Sequence, residues 1–383
     1  MTNEERVLNQ FLRKDVDYLP SQITFSERSR DKQIAEQIGI DVKDLDNYLQ
    51  NHIAFTYSKD DLPLFFHNDD ETMKWLEPAG HCKMDWEGDI CYDNWGTGIL
   101  RHQDGFFTDF GPMEWDDEKK KKAAPFLPDR LQGIMEMPLE KACEFYTAPD
   151  ALAEGNYEWY YRDKKELSGD FMVIPSGYFG IYERAYSLLG WEQFMTEIAV
   201  NPKMIYGLLE KITDYRIKTA QVKADVGFKI VHHGDDLGTQ CSGFFSDSMF
   251  KDLILPHYKR LFAEYKKHGQ FIIMHSCGHI REYLGDLIDA GLDGYEVVQP
   301  CNDLRKVKNE FGKDLVFWGG IDTQTLPRLN PQQVKEMATE AITILGKGGG
   351  YIIAPSQELM ADVPVENIVA IVETINDLRD KVM

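Results

Sequence analysis

Nowhere does the chain hold a run of about 20 apolar residues, the length a helix needs to cross a bilayer, so no membrane-spanning segment is expected. Cysteine is scarce. Cys82, Cys91, Cys143, Cys241, Cys277 and Cys301 are spread thinly over 383 residues, which is not a disulfide framework. Positive charge is also short: 42 Lys and Arg against 64 Asp and Glu leave a formal charge of −22, and that balance argues against nucleic acid or anionic membranes as partners. The basic run Lys119 to Lys122 follows Asp116-Asp117-Glu118 directly and reads as a solvated mixed-charge surface. The opening residues Met-Thr-Asn-Glu-Glu-Arg lack the basic start and apolar stretch of a signal peptide, so a reducing, cytoplasmic setting is expected. Missing too is a GxGxxG turn after the first candidate strand, which weighs against a doubly wound sheet.

What is present is a regular alternation in the second half. Six apolar segments recur between helical patterns: Phe171–Ile174, Phe228–Val231, Phe271–Met274, Tyr295–Val298, Leu315–Trp318 and Tyr351–Ala354. Near-continuous apolar strands alternating with helices mean a parallel sheet buried on both faces. In the first half a helix is expected over residues 1–16, a strand over Tyr18–Phe25, and helical structure to about Asn51, with Asp41 capping a turn at Val42 to Leu49. Leu62–His67 is a candidate second strand despite Pro63. Eight strands would close an α/β barrel of the (β/α)8, or TIM, type. The expected organisation is one barrel over residues 1–383. Within it, residues 80–161 form an aromatic-rich insertion or lid, with Trp86, Trp95, Phe106, Phe107, Trp115 and Tyr161 among its rings.

The strand exits carry the chemistry. They read His232-His233-Gly234-Asp235-Asp236 running on to Gln240, then His275-Ser276-Cys277-Gly278, Gln299-Pro300-Cys301-Asn302, Gly319-Gly320-Ile321-Asp322, and Pro355-Ser356-Gln357-Glu358. In a barrel all these exits meet at the C-terminal face, where active sites of the fold sit. His275 and Cys277, two apart on an extended segment, share a face and make half a zinc site. His232 and His233 alternate faces, so only one enters the pocket. Asp235, Asp236 and His233 are the candidate catalytic acid and base groups, with helix capping as the plain alternative for each aspartate. Gln240, Asp322, Gln357 and Trp318 are candidate substrate contacts, and Asp322 equally suits a cap. Gly348 to Gly350 precede a strand instead of opening a helix, so a tight turn is expected there, not a phosphate loop.

Taken in order, His233-Gly-Asp-Asp-Leu-Gly-Thr-Gln240, His275-Ser-Cys-Gly278, Gly319-Gly-Ile-Asp322 and Gly348-Gly-Gly-Tyr-Ile-Ile-Ala-Pro-Ser356 resemble the uroporphyrinogen decarboxylase superfamily, and within it the corrinoid-dependent methyltransferase-like branch. The resemblance is strong from about residue 165 onward. It implies a zinc ion on His275 and Cys277 with a third ligand after the last strand. That position matches Gln357, a neutral amide and a poor ligand, so Glu358 is expected in its place, with Asp236, Glu296 and Cys301 open as substitutes and an empty site as the alternative. Cobalamin is expected on a separate corrinoid protein, because no Asp-x-His-x-x-Gly signature occurs. A homodimer is implied by the resemblance alone.

The arginine-rich loop of true uroporphyrinogen decarboxylases is absent. Ile23 to Arg30 stands in its place, with Arg28 and Arg30 but not the motif. A multiply carboxylated macrocycle is therefore disfavoured. The resemblance instead implies methyl transfer between a small methylated compound and the corrinoid protein, with zinc as Lewis acid. The aromatic insertion points to an aromatic methyl ether and O-demethylation. Two alternatives stand beside it: a metal-independent decarboxylase or lyase on a smaller acid, using Asp235, Asp236 and His275, and a barrel that only binds a ligand or corrinoid protein.

Overall fold

The computed structural model describes residues 1–26, 29–101 and 108–382; Arg28, Phe106 and Phe107 lie outside them. In chain order the strands are β1 (Ile53–Thr56), β2 (Cys82–Asp85), β3 (Ile90–Asp93), β4 (Gly98–Leu100), β5 (Thr108–Phe110), β6 (Met172–Pro175), β7 (Ile230–Gly234), β8 (Phe271–His275), β9 (Gly294–Val298), β10 (Val316–Ile321) and β11 (Tyr351–Pro355). Strands β7 to β11 form one parallel ladder, and β1 pairs in parallel with β6.

Two joints turn these pieces into a barrel. On one side the segment 20–23 lies between β1 and β11: Ser21 bridges in parallel to both Asn51 and Ile353, and Gln22 N donates to Ile353 O at 2.9 Å. Side chains complete this joint, since Gln22 Oε1 accepts from Ile53 N at 3.0 Å and Asn51 Oδ1 from Ile23 N at 2.7 Å. On the other side, Gly234 N donates to Gly177 O at 2.9 Å just beyond β6. There a Cβ on residue 177 would run into the His232 carbonyl, so the approach of β6 to β7 requires glycine.

Burial explains the packing. All residues of β6, β7, β9, β10 and β11 are buried, as strands covered on both faces must be. Ile53, Met172, Ile230, Ile273, Val316 and Ile352 fill the barrel interior, and Val7 and Phe11 of helix Asn3–Phe11 pack onto them. The outer faces pack on the helical ring, including Pro202–Val226, Leu255–Lys267 and Val365–Leu378.

The six late strands fall where the apolar runs place them, and Asp41 caps its turn by accepting from Lys43 N at 3.1 Å. The second strand is a correction. Leu62–Phe66 is a short helix with Pro63 in its first turn, where the missing N–H costs nothing. The second barrel strand is Ile53–Thr56, and the first is reduced to isolated bridges at Ser21 and Phe25. Among the described residues no helix is long and apolar enough to cross a membrane.

Strands β2 to β5 form a separate antiparallel sheet in the order β2-β3-β4-β5. It is fastened to the barrel by a buried ion pair. Arg184 Nη1 lies 2.7 Å from Asp93 Oδ2, with both side chains 2% exposed, and the guanidinium stands 4.8 Å from the ring centre of the fully buried Trp95. Asp93 Oδ1 also accepts from Trp95 N and Thr97 N at 2.9 and 2.8 Å. Removing one partner of such a pair strands the other charge out of water. Arg184→Ala is therefore expected to cost about 3–5 kcal/mol in urea unfolding, and Arg184→Met with Asp93→Asn less than the sum of the two single changes. Additive losses would show that the pair is not coupled.

Candidate metal centre and active site

Alternation along β7 and β8 turns His232 and His275 into the barrel, and the pairing of His275 with Glu296 brings the β9 carboxylate between them. Glu296 Oε2 lies 2.8 Å from His232 Nε2 and 3.1 Å from His275 Nδ1. The other nitrogen of His275 faces outward: Nε2 is 3.7 Å from Cys277 Sγ and 3.4 Å from Asp236 Oδ1. Asp236 is fixed in turn by Cys277 N, which donates to Oδ1 at 2.7 Å. Gly278 then bends the chain at φ +86°, and a Cβ there would strike the Gly238 carbonyl. One imidazole thus joins a buried carboxylate on one side to a carboxylate and a thiol on the other.

Charges follow this geometry. Burial opposes ionisation of Glu296, but His275 and His232 outweigh it and hold the carboxyl at about 2. Burial likewise opposes the charge on Asp236, and His275 with the Cys277 amide still draws its pKa below the ordinary range. His275 is held well above the usual imidazole range against burial by Tyr178, Glu296 and Asp236. The Cys277 thiol is pushed up to about 12, chiefly by burial and then by Asp236.

Asp236, His275 and Cys277 each turn a ligand atom to a common point, all within 4.8 Å of one another. An oxygen, a nitrogen and a sulfur with one position open is a donor set that fits zinc in a catalytic site. Glu296, 3.1 Å from His275 Nδ1, stands where an outer carboxylate would fix the tautomer of such a ligand. His232, His275 and Glu296 also lie within 4.8 Å of one another, but all three are buried, which suits a support better than an open site.

Of the groups open as third ligand, Asp236 is the one whose oxygen stands with His275 and Cys277; among the described residues Glu358 belongs to neither candidate ligand group. The chain after β11 presents Gln357 to the sulfur: its Nε2 is 3.1 Å from Cys277 Sγ, and its Oε1 accepts from Glu358 N at 3.0 Å, so the amide donates toward the thiol. Glu358 lines a neighbouring cavity of about 20 Å³ with Phe55, Tyr57, Tyr178 and Trp318. That space holds about one water. Trp318 stacks on Phe55 there, with centroids 5.9 Å apart.

His233 and Asp235 are corrections of a second kind. With His232 turned inward, His233 faces the helical layer against Tyr258 and Phe262, 2.9 Å from Asp235 Oδ2. Asp235 is fully buried and accepts from Ile181 N, Glu183 N and Tyr258 Oη at 2.8, 2.7 and 2.9 Å. The pair fastens the loop after β6 and does not face the cavity. Gln240 is exposed and donates to Gln299 Oε1 at 2.9 Å. Asp322 holds its own turn, accepting from Gln324 N and Thr325 Oγ1 at 3.1 and 3.0 Å. Cys301 is in neither ligand group, and its thiol lies toward Gln299 at 3.9 Å.

Two residues escaped sequence reasoning. Tyr178 covers both inward histidines, with ring centres 4.7 Å from His232 and 4.8 Å from His275. Glu183 is buried beside Asp235 and Asp236, and burial raises its carboxyl well above the usual range. The exit from β6, Pro175-Ser-Gly-Tyr178, is as polar a strand end as the others and was the available signal for Tyr178.

Residues 161–378 match the family model described as uroporphyrinogen decarboxylase (URO-D). Uroporphyrinogen decarboxylases from Coxiella burnetii, strains Dugway 5J108-111 and RSA 493 / Nine Mile phase I, are each 21% identical over 183 residues, covering 47% of this chain and 49% of theirs. The chain thus spans about half the length of the curated relatives it matches. Among solved structures, a methyltransferase from Methanosarcina mazei shares the fold with a TM-score of 0.61 and 16% identity, over 98% of this chain and 99% of that one.

Zinc titrated into metal-free protein is expected to bind with loss in Cys277→Ala and His275→Ala, retention in Glu358→Gln, and affinity lower by about 10–100-fold in Glu296→Gln. Because the thiol must give up a proton held to about 12, affinity should fall about tenfold per pH unit for each proton displaced as the solution is acidified. Calorimetry in buffers of different ionisation enthalpy counts those protons. Undiminished zinc in Cys277→Ala would disprove this centre.

Proposed function

The chain belongs to the uroporphyrinogen decarboxylase family, and on that footing we propose that it is a corrinoid-dependent methyltransferase, moving a methyl group from a small methylated compound to a corrinoid carried by a separate protein. The observation that carries this reading is the Asp236, His275 and Cys277 donor set backed by Glu296. A metal bound there would act as a Lewis acid on the donor oxygen, supplying several kcal/mol toward departure of an otherwise poor leaving group. Glu296 holds the His275 ring so that Nε2 faces Cys277 Sγ and Asp236 Oδ1, with which it would hold the metal. The Gln357 amide donates to the sulfur, which favours thiolate over thiol.

The rings of Phe55, Tyr57, Tyr178 and Trp318 beside Gln357 support an aromatic methyl ether as donor and O-demethylation as the reaction. In that reaction the methyl–oxygen bond breaks and oxygen keeps the electron pair. At about 20 Å³ the cavity is too small for such a donor, so entry requires lining side chains to move aside.

Decarboxylation of an acid is the weaker reading, on two observations. Among the described residues the cavity is lined by Glu296 and Glu358 and by no Lys or Arg. Arg30, the described arginine of the first loop, spends its guanidinium on the carbonyls of Met360 and Val363.

Methoxylated phenols incubated with reduced cobalamin and the zinc-loaded protein are expected to be demethylated, and Cys277→Ala to lose about a thousandfold in rate, equivalent to the Lewis-acid contribution. Absence of methyl transfer from every methylated donor tried, with zinc bound, would remove the methyltransferase reading.

A further inference from the structure

We propose that the seam between residues 108–142 and the helices Tyr182–Leu189 and Trp191–Val200 holds a second binding site, for a small amphipathic amine, separate from the barrel mouth. Two hollows, of about 310 and 230 Å³, lie on either side of Glu114 and Trp115 and share Gln193 as a lining residue. The larger is within the size range of small-molecule sites. One wall is apolar and adaptable, made by Met113, Ile134, Met135, Met137 and Leu139, while Glu114, Glu197, Gln193 and Lys120 form its polar part. Methionines adapt to irregular guests and favour contact with aromatic rings.

The polar end is under-satisfied. Gln193 is 3% exposed; its Nε2 donates to Met113 O at 2.9 Å, and its Oε1 is buried with no hydrogen-bond partner. An orphaned buried acceptor costs about 1–3 kcal/mol, which a ligand N–H would recover once the side chains covering Oε1 shift to admit it. Glu114 shares the same wall, and its ion pair with Lys119 is a long one. Lys119 Nζ stands 3.8 Å from Glu114 Oε1 but donates instead to Asp109 O at 2.7 Å. Burial raises the Glu114 carboxyl, so a cation placed beside it would be stabilised. Trp115, 57% exposed, offers a ring face at the entrance. An acceptor, an indole and two carboxylates, Glu114 and Glu197, against the single ammonium of Lys120 favour an ammonium on an aryl or alkyl body over a carboxylate.

The test is calorimetric and ligand-observed NMR titration of the full chain with 2-phenylethylamine, and with 3-phenylpropionate as the anion of similar shape. The amine should bind at least about tenfold more tightly than the anion, the ratio expected for a hydrogen bond to a charged group. Glu114→Gln and Trp115→Ala should each weaken the amine about fivefold or more, and Cys277→Ala should leave its binding unchanged. Gln193→Leu should act as Glu114→Gln does; if it fails to fold, the two exposed-side variants decide. Equal binding of amine and anion, no saturable binding of the amine, or loss of binding in Cys277→Ala would each overturn the proposal. These outcomes are independent of whether methyl transfer is observed at the barrel mouth.

Discussion

Glu296 is 5% exposed, lies inside the barrel, and has one oxygen shared between His232 and His275. A carboxylate so far from water is costly unless its partners are exact in number and direction, and most of the mouth of this barrel can be read as the arrangement that satisfies it. His232 must face inward, so His233 must face outward, and Asp235 and Tyr258 then meet it in the helical layer. His275 must give Nδ1 to Glu296, so Nε2 is left for Asp236 and Cys277. The orientation of the imidazole edge that meets Asp236 and Cys277 is thus decided one residue behind it.

The same economy appears where the chain leaves its regular pattern. The barrel is closed by side-chain amides at Gln22 and Asn51 on one side and by the close approach of Gly177 to β7 on the other. The antiparallel sheet β2 to β5 is joined through Arg184 and Asp93, a pair that is expensive to bury and more expensive to break. Such joints hold the loop carrying Tyr178 over the histidines, and with it the near-closed cavity beside the proposed metal.

How far the sequence could be read depended on the range of the forces involved. The late strands were legible because a strand buried on both faces must be apolar throughout, and the change to polar residues marks its exit. Ile53–Thr56 was not, being short, and the strand expected over Tyr18–Phe25 forms only isolated bridges at Ser21 and Phe25, completed by side chains from elsewhere. Leu62–Phe66 misled because a five-residue apolar run has no readable period, and Pro63 suits a helix start as well as a strand edge. At the strand exits, the shared face of His275 and Cys277 was legible from spacing alone. That Asp236 joins them was not: it arrives from the preceding strand exit, 41 positions from the Cys277 amide it accepts from, and nothing local distinguishes it from Asp235.

Alone, then, the order of residues determined a barrel-type alternation, a polar C-terminal rim and an imidazole two places from a thiol. Those are consequences of period and burial, which act between neighbours along the chain. Folding in three dimensions decided which histidine turns inward, which aspartate meets the thiol, and that Gln357 faces sulfur as a donor while Glu358 lines the adjoining cavity. These choices rest on strand register and on hydrogen bonds between distant loops, and such contacts exist only after the cylinder has closed.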